Sequence, residues 1–183
     1  MNSDIVIEDN YLQEDQFDRL SSFMMSDQIA WYYNGNYGGN YPLMEHWFYR
    51  ENQGPERHPN TPFLNNQYEM LQPLLMQLNP IAILKIRANC NWRTHNEEQR
   101  VFHTDITAES TTSILYINHS DGCTIFKDCD TIVESVANRF VTFPSNMLHA
   151  ARPFTTPERR VLINFNYIAR KQEAHHNVIK TGY

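Results

Sequence analysis

RFVTFPSNMLHAARPFTTPERRVLINFNYI, residues 139–168, decides the fold class. It holds three short runs rich in β-branched and aromatic residues: 139–144, 147–152 and 159–168. A Pro-Ser-Asn turn signal separates the first two, and no run shows helical spacing. The last run alternates. Val161, Ile163 and Phe165 share one face, while Arg160, Leu162, Asn164 and Asn166 share the other.

The same texture continues upstream to Ile81. Further strands are predicted near 81–89, 99–105, 111–118, 123–127 and 131–135, with CNWRTHNEE, HSDG and DCD as separators. About eight short strands without βαβ alternation predict a mainly β fold, a sandwich or jelly roll. Leu12, Phe17, Leu20, Phe23 and Met24 lie at helical spacing and predict a helix over 13–25. A second helical pattern covers 63–79, with Pro73 as a kink or early-turn residue. Both helices are expected to pack on one outer face of the β-core. Residues 31–62, rich in Asn, Gly, Pro and aromatics, read as irregular loop. Its rings, Trp31, Tyr32, Tyr33, Tyr37, Tyr41, Trp47 and Phe48, form either a lid or substrate wall, or packing that closes the sandwich. The expected organisation is one domain over 1–183: a helical and loop part over 1–80, the β-core over 81–168 and a surface tail over 169–183.

The bulk composition supports that size of core. The chain has 183 residues, 41% of them apolar and 13% aromatic, enough for one buried core and unlike a disordered segment. A net charge of −6 argues against non-specific binding to nucleic acid. Cys90, Cys123 and Cys129 lack the spacing of a zinc or disulfide framework and suit a reducing compartment. The first residues, MNSDIVIEDN, lack a secretory signal pattern, and no apolar run approaches the ~20 residues that span a bilayer. The expected location is cytoplasmic. Nothing in the sequence bears on oligomeric state.

Candidate chemistry begins with an H-x-D pair, His103 and Asp105, at the end of a predicted strand. Residues i and i+2 of a strand face the same way, as two ligands of one metal must. A second pair, His119 and Asp121, sits in HSDG, where Asp121-Gly122 reads as a hairpin tip and a poor scaffold for ligands. His149 supplies a third ligand downstream; its ordinary alternative is a rim histidine bonded to main chain. Two imidazoles and one carboxylate on one face mark non-haem Fe(II) oxygenases. Oxygenases of this type use 2-oxoglutarate, a dianion whose distal carboxylate calls for a fixed arginine. Arg160 lies on the polar face of the last strand and Arg159 on the other. Strand phase therefore favours Arg160.

FHTD, TSILYIN, DGCTIF, NRFVTFPSNMLHAARPF and RRVLINFNY occur in this order between Ile81 and Tyr167. On these segments the chain resembles the Fe(II)/2-oxoglutarate-dependent dioxygenases, most closely the prolyl 4-hydroxylase-like branch with its small stand-alone members of the phage type. The resemblance implies a double-stranded β-helix with N-terminal helices packed on one sheet. It implies His103, Asp105 and His149 as iron ligands and Arg160 as anchor of the distal carboxylate, with Arg159 at a similar distance past the second histidine. It implies that Tyr116 reaches the same carboxylate and that Asn164 also faces the co-substrate. Asn89 stands in for a tyrosine that this chain lacks, and Asp121-Gly122 replaces the usual Gly-Gly. The cofactors implied are Fe(II) and 2-oxoglutarate, with ascorbate a further candidate. The partners are dioxygen and a substrate with an unactivated C–H bond, a peptide or a small molecule, with prolyl or another amino-acid side chain first by analogy. Two other classes remain open on the residues: a non-enzymatic jelly-roll binding or virion protein, and a cupin-like metalloenzyme that does not use 2-oxoglutarate.

Overall fold

The computed structural model describes residues 4–35, 43–50, 65–93 and 101–170. The element order is β1 (Val6–Glu8), α1 (Glu14–Met25), β2 (Tyr32–Asn34), β3 (Leu43–Arg50), a 3-10 helix (Asn66–Leu71) running into α2 (Gln72–Leu78), then β4 (Ala82–Trp92), β5 (Thr111–Tyr116), β6 (Ser120–Phe126), β7 (Ile132–Ser135), β8 (Phe140–Pro144), β9 (His149–Ala151) and β10 (Arg159–Ile168). A seven-stranded sheet has the order β1-β8-β5-β10-β4-β3-β2, and a three-stranded sheet has the order β7-β6-β9. The pairings are antiparallel.

The alternation in β10 explains how the layers stack. Val161, Ile163, Phe165 and Tyr167 join Ile86, Ala88 and Cys90 of β4 against Leu20 and Met24 of α1 and Leu71 and Leu74 of the second helical segment. This is the outer core. Leu162 turns the other way and joins Ile114, Tyr116, Val141 and Phe143, which meet Phe126 and Val133 of the small sheet. This is the inner core, between the sheets. Full burial of each such side chain contributes about 1.5–3 kcal/mol, so a one-residue slip of β10 would forfeit both cores at once.

The helices carry local signals that match. Glu14 and Asp15 occupy the first turn of α1, where they meet the positive end of the helix. Ser26 ends it, its hydroxyl and its backbone N–H both donating to the Phe23 carbonyl. Pro73 lies in the first turn of α2, where its missing N–H has no helical partner to lose. Asn79 closes that helix in the left-handed conformation.

Three expectations are corrected. Residues 31–62 are not all irregular: β2 and β3 extend the large sheet beside β4. Leu43, Glu45, His46 and Phe48 of β3 are all buried, so this strand has covered faces and lacks the apolar–polar alternation that marks a strand in sequence. Residues 101–105 form no strand; His103 makes one isolated antiparallel bridge with His149. Asp121 and Gly122 are not a hairpin tip. They lie inside β6, at a register shift between Ser120 and Cys123. Tyr37, Tyr41, residues 99–100 and the tail over 171–183 lie outside the described residues.

Candidate metal centre

His103 and His149 are tied to each other through the main chain, each N–H donating to the other's carbonyl at 3.0 Å. This bridge brings residues 46 positions apart in sequence side by side, with ring centroids 4.5 Å apart. Each imidazole is then oriented locally. His103 Nδ1 lies 3.3 Å from the Val101 carbonyl, and His149 Nδ1 lies 3.0 Å from the Met147 carbonyl. A carbonyl only accepts, so each Nδ1 carries the hydrogen and each Nε2 keeps its lone pair. Both Nε2 atoms face Asp105: His103 Nε2 is 4.0 Å from Oδ1, and His149 Nε2 is 4.0 Å from Oδ2. Ligand atoms of all three residues lie within 4.8 Å of one another. The gaps are too wide for direct hydrogen bonds and suit a shared cation.

Asp105 is held from several sides. Its N–H donates to the Ser145 carbonyl at 3.1 Å, and Lys85 Nζ donates to its carbonyl at 3.3 Å. Oδ2 accepts from Thr112 Oγ1 at 3.0 Å and from Asn166 Nδ2 at 3.2 Å. Asn166 Nδ2 also donates to Thr112 Oγ1 at 2.7 Å. Burial alone would raise the Asp105 carboxyl. His149, Lys85, the Asn166 hydrogen bond and His103 outweigh it and hold the group below its ordinary value. Burial pushes the His103 imidazole below its ordinary value, and His149 pushes it the same way. The set at neutral pH is therefore an anionic carboxylate beside a neutral imidazole at His103, the protonation states a divalent metal requires. His149 is packed edge-on against Phe143, centroids 4.9 Å apart, which fixes the ring from behind.

Arg160 marks another part of the same inner face. Its side chain is 1% exposed. Nε donates to Ser135 Oγ at 3.1 Å, Nη2 donates to Thr124 Oγ1 at 3.4 Å, and the guanidinium lies 5.3 Å from the Tyr116 ring centroid. Among the described residues no carboxylate pairs with it. Burial pushes its pKa down, yet an arginine keeps its charge in a protein. A buried cation without an anionic partner is costly unless a ligand supplies one. Arg159 points the other way, and its Nη2 donates to the Met25 carbonyl at the end of α1.

The other sequence candidates fall as follows. Tyr116 is fully buried, with its hydroxyl 2.7 Å from Thr124 Oγ1. Asn164 is half-buried on β10, paired in register with Arg87 and Ile114. Asn89 is buried on β4 opposite Leu162, and its Oδ1 has no hydrogen-bond partner. Of the aromatic segment, Phe48 is in the outer core, while Tyr32 and Tyr33 are exposed. Asp121 serves the loop after β9, accepting from the backbone N–H groups of Thr155 and Thr156 and from the Thr155 hydroxyl. Sequence reasoning missed the support around Asp105, namely Lys85, Thr112, Ser145 and Asn166. Asn166 alone left a signal, since it shares the strand face of Arg160. It also missed why Gly122 is a glycine: a Cβ there would lie 2.9 Å from Phe154 Cβ and 3.3 Å from Arg160 Cδ.

No family model matches the chain, and no curated protein matches it by sequence. Solved structures do match. A viral collagen prolyl hydroxylase from Paramecium Bursaria Chlorella virus-1, in a 2-oxoglutarate complex, aligns with TM-score 0.58 at 13% identity over 92% of this chain and 98% of its own. An oxidoreductase of the 2OG-Fe(II) oxygenase family from Burkholderia pseudomallei aligns with TM-score 0.63 at 10% identity over 93% and 90%. The non-haem α-ketoglutarate-dependent epimerase SnoN of nogalamycin biosynthesis aligns with TM-score 0.61 at 13% identity over 98% and 87%. The fold is thus the double-stranded β-helix of these oxygenases, as the sequence predicts. Among the described residues no helix is long and apolar enough to cross a membrane.

Proposed function

We propose that this chain is an Fe(II)- and 2-oxoglutarate-dependent dioxygenase that hydroxylates an unactivated C–H bond, the whole of 1–183 acting as one oxygenase domain. One observation carries the reading. Two imidazole Nε2 atoms and one carboxylate, within 4.8 Å of one another, share an inner face with a buried arginine that pairs with no carboxylate among the described residues.

His103, His149 and Asp105 would hold the iron from one side and leave positions open on the other. Iron with 2-oxoglutarate supplies oxidative decarboxylation coupled to hydroxylation of the substrate. Each remaining task falls to the chain. The Val101 and Met147 carbonyls fix the tautomer of each imidazole. Thr112 and Asn166 hold Oδ2 of Asp105. Arg160 takes the distal carboxylate of the co-substrate and so sets its orientation. Phe126, Phe143, Val133 and Ile114 line the space between the sheets and keep water out. Asn164 and Asn89 face the same space from β10 and β4. Arg159, bonded to the end of α1, is left outside the site.

A cupin-like chemistry without a 2-oxo acid leaves the buried charge of Arg160 unanswered, and a non-enzymatic jelly roll leaves the triad unexplained. The substrate is a peptide or a small molecule. Prolyl hydroxylation is the first candidate by likeness to the viral enzyme, and SnoN shows that the fold also serves another reaction. Three free cysteines support a cytoplasmic location. The test is anaerobic addition of Fe(II) and then 2-oxoglutarate. A visible metal-to-ligand charge-transfer band is the expected result, and its absence at saturating concentrations of both refutes the proposal.

A further inference from the structure

Strand β3 is bulged beside the triad. Trp47 is the ladder partner of Arg87 and Arg50 that of Lys85, while Phe48 and Tyr49 together stand opposite Ile86. Phe48 and Tyr49 both pack against the outer core. Residues three apart on a regular strand face opposite sides. The extra residue puts Trp47 and Arg50 on the same side, which is how a bulge re-aims a side chain near a site. That side is the inner one, because direct partners in an antiparallel ladder share a face. Arg87 pairs across to Asn164 and on to Ile114 of the inner core. Lys85 pairs across to Asn166 and on to Thr112, the two donors to the Asp105 carboxylate.

The guanidinium carbons of Arg87 and Arg50 lie 5.4 and 5.6 Å from the centroid of the Trp47 ring. Glu45, 2% exposed, fixes this corner from within. Its Oε1 accepts from Trp47 Nε1 at 3.0 Å, and its Oε2 accepts from Asn34 Nδ2 at 3.2 Å and lies 3.5 Å from Arg87 Nη1. Trp47, Arg50, Lys85 and Arg87 are all partly open to solvent. Arg87 stands four residues along β4 from Asn91, the ladder partner of Arg160, or about 13 Å at the rise of a strand. The corner is therefore separate from the end of the site where Arg160 lies.

We propose that Arg50, Trp47 and Arg87 form the substrate subsite beside the iron, and that it takes a carboxylate of an acidic peptide segment next to the C–H bond that reacts. The proposal rests on the dioxygenase reading above and gives its substrate class. An arginine has five N–H donors in a planar fork, so Glu45 uses only part of what Arg87 offers. A ring against each fork restrains its plane and leaves its rim for bidentate contact with a carboxylate. Lys85 adds a further positive charge on the same side, next to the iron ligand Asp105. Nucleic acid is the weaker match, since the aromatic surface on which a base would stack is taken by guanidinium groups. The net charge of −6 repels any polyanion overall, so binding of one reports this local cluster.

The test is titration calorimetry on the protein loaded with Mn(II) and 2-oxoglutarate, with hexaglutamate, hexaglutamine, hexalysine, N-acetylglutamate and the oligonucleotide dT6 as probes. Hexaglutamate should bind, with hexaglutamine and hexalysine at least tenfold weaker. Arg50→Gln and Arg87→Gln should each weaken hexaglutamate roughly tenfold, the loss of one hydrogen bond to a charged group. Arg50→Lys should recover part of that loss. The affinity of these variants for 2-oxoglutarate should stay at the parental value, which also shows that they are folded. If Arg87→Gln does not fold, the partly exposed Arg50 carries the comparison. Hexaglutamate that binds no better than hexaglutamine or hexalysine, or equally well to parent and folded variants, overturns the subsite. N-acetylglutamate that binds as tightly as hexaglutamate overturns the peptide in favour of a free acid, and tighter binding of dT6 overturns the carboxylate in favour of phosphate. A parent that binds hexaglutamate but takes up no 2-oxoglutarate shows instead that the dioxygenase reading has failed.

Discussion

Gly122→Ala tests whether the small sheet and the guanidinium are packed as closely as the geometry states. The new Cβ would sit 2.9 Å from Phe154 Cβ, 3.3 Å from Arg160 Cδ and 3.4 Å from the Arg152 carbonyl oxygen. Carbon pairs are at their optimum at about 3.5–4.0 Å, so the Phe154 contact must open by roughly 0.6 Å or more. Phe154 Cβ moves only with its backbone, so relief means shifting the segment after β9 against β6. Overpacking of this kind costs about 1–3 kcal/mol. For a chain of this size each kcal/mol lowers Tm by about 2–4 °C, so the fall should be roughly 2–12 °C. The Arg160 contact adds a functional effect, a guanidinium displaced by a few tenths of an ångström and a weaker grip on 2-oxoglutarate. Thermal unfolding measures the first effect, and 2-oxoglutarate titration of the Mn(II)-loaded protein measures the second. A variant with parental Tm and parental affinity would show that the segment yields freely, and the packing argument would be wrong.

Further outcomes follow from the same geometry. Asp105→Ala removes the only carboxylate of the triad and should abolish Fe(II) binding and succinate formation; succinate at the parental rate would refute the site. Asn166→Ala frees Asp105 Oδ2 from one of its two donors and should weaken metal affinity by about 10–100-fold, read by metal titration. Arg159→Ala loses the bond to the Met25 carbonyl and should lower Tm while leaving the 2-oxoglutarate requirement unchanged; a raised requirement would mean that the strand-phase choice between the two arginines is wrong. His46 is 1% exposed, with Nδ1 donating to the Ala30 carbonyl, and burial holds its pKa below the ordinary 6.5. The unfolded chain binds that proton more readily, so the stability His46 contributes is present above pH 6.5 and lost as pH falls toward its folded value. The Tm of the metal-free protein should drop from pH 7 to pH 5, less steeply in His46→Gln; equal slopes would count against the assignment.

Much of this protein was legible locally. The two-residue period of β10 placed Val161, Ile163 and Phe165 under the helices and Arg160 between the sheets, because alternation belongs to a single strand. The bounds of α1 followed from apolar spacing in the same way. Strand β3 escaped notice because both faces are covered, so its buried Glu45 and His46 erase the pattern. The H-x-D spacing suggests neighbours on a strand, yet His103 and Asp105 are held by main-chain bonds to His149 and Ser145, partners some forty positions away.

Which side chains carry metal-binding chemistry, and which face each strand residue takes, are local properties of residues and their nearest neighbours and can be read along the chain. That two imidazoles and a carboxylate meet, that Thr112 and Asn166 steady the carboxylate, and that Asn91 stands opposite Arg160 emerges only when the chain is folded. Those facts depend on register between strands distant in the chain, and register is set by the simultaneous burial of both cores.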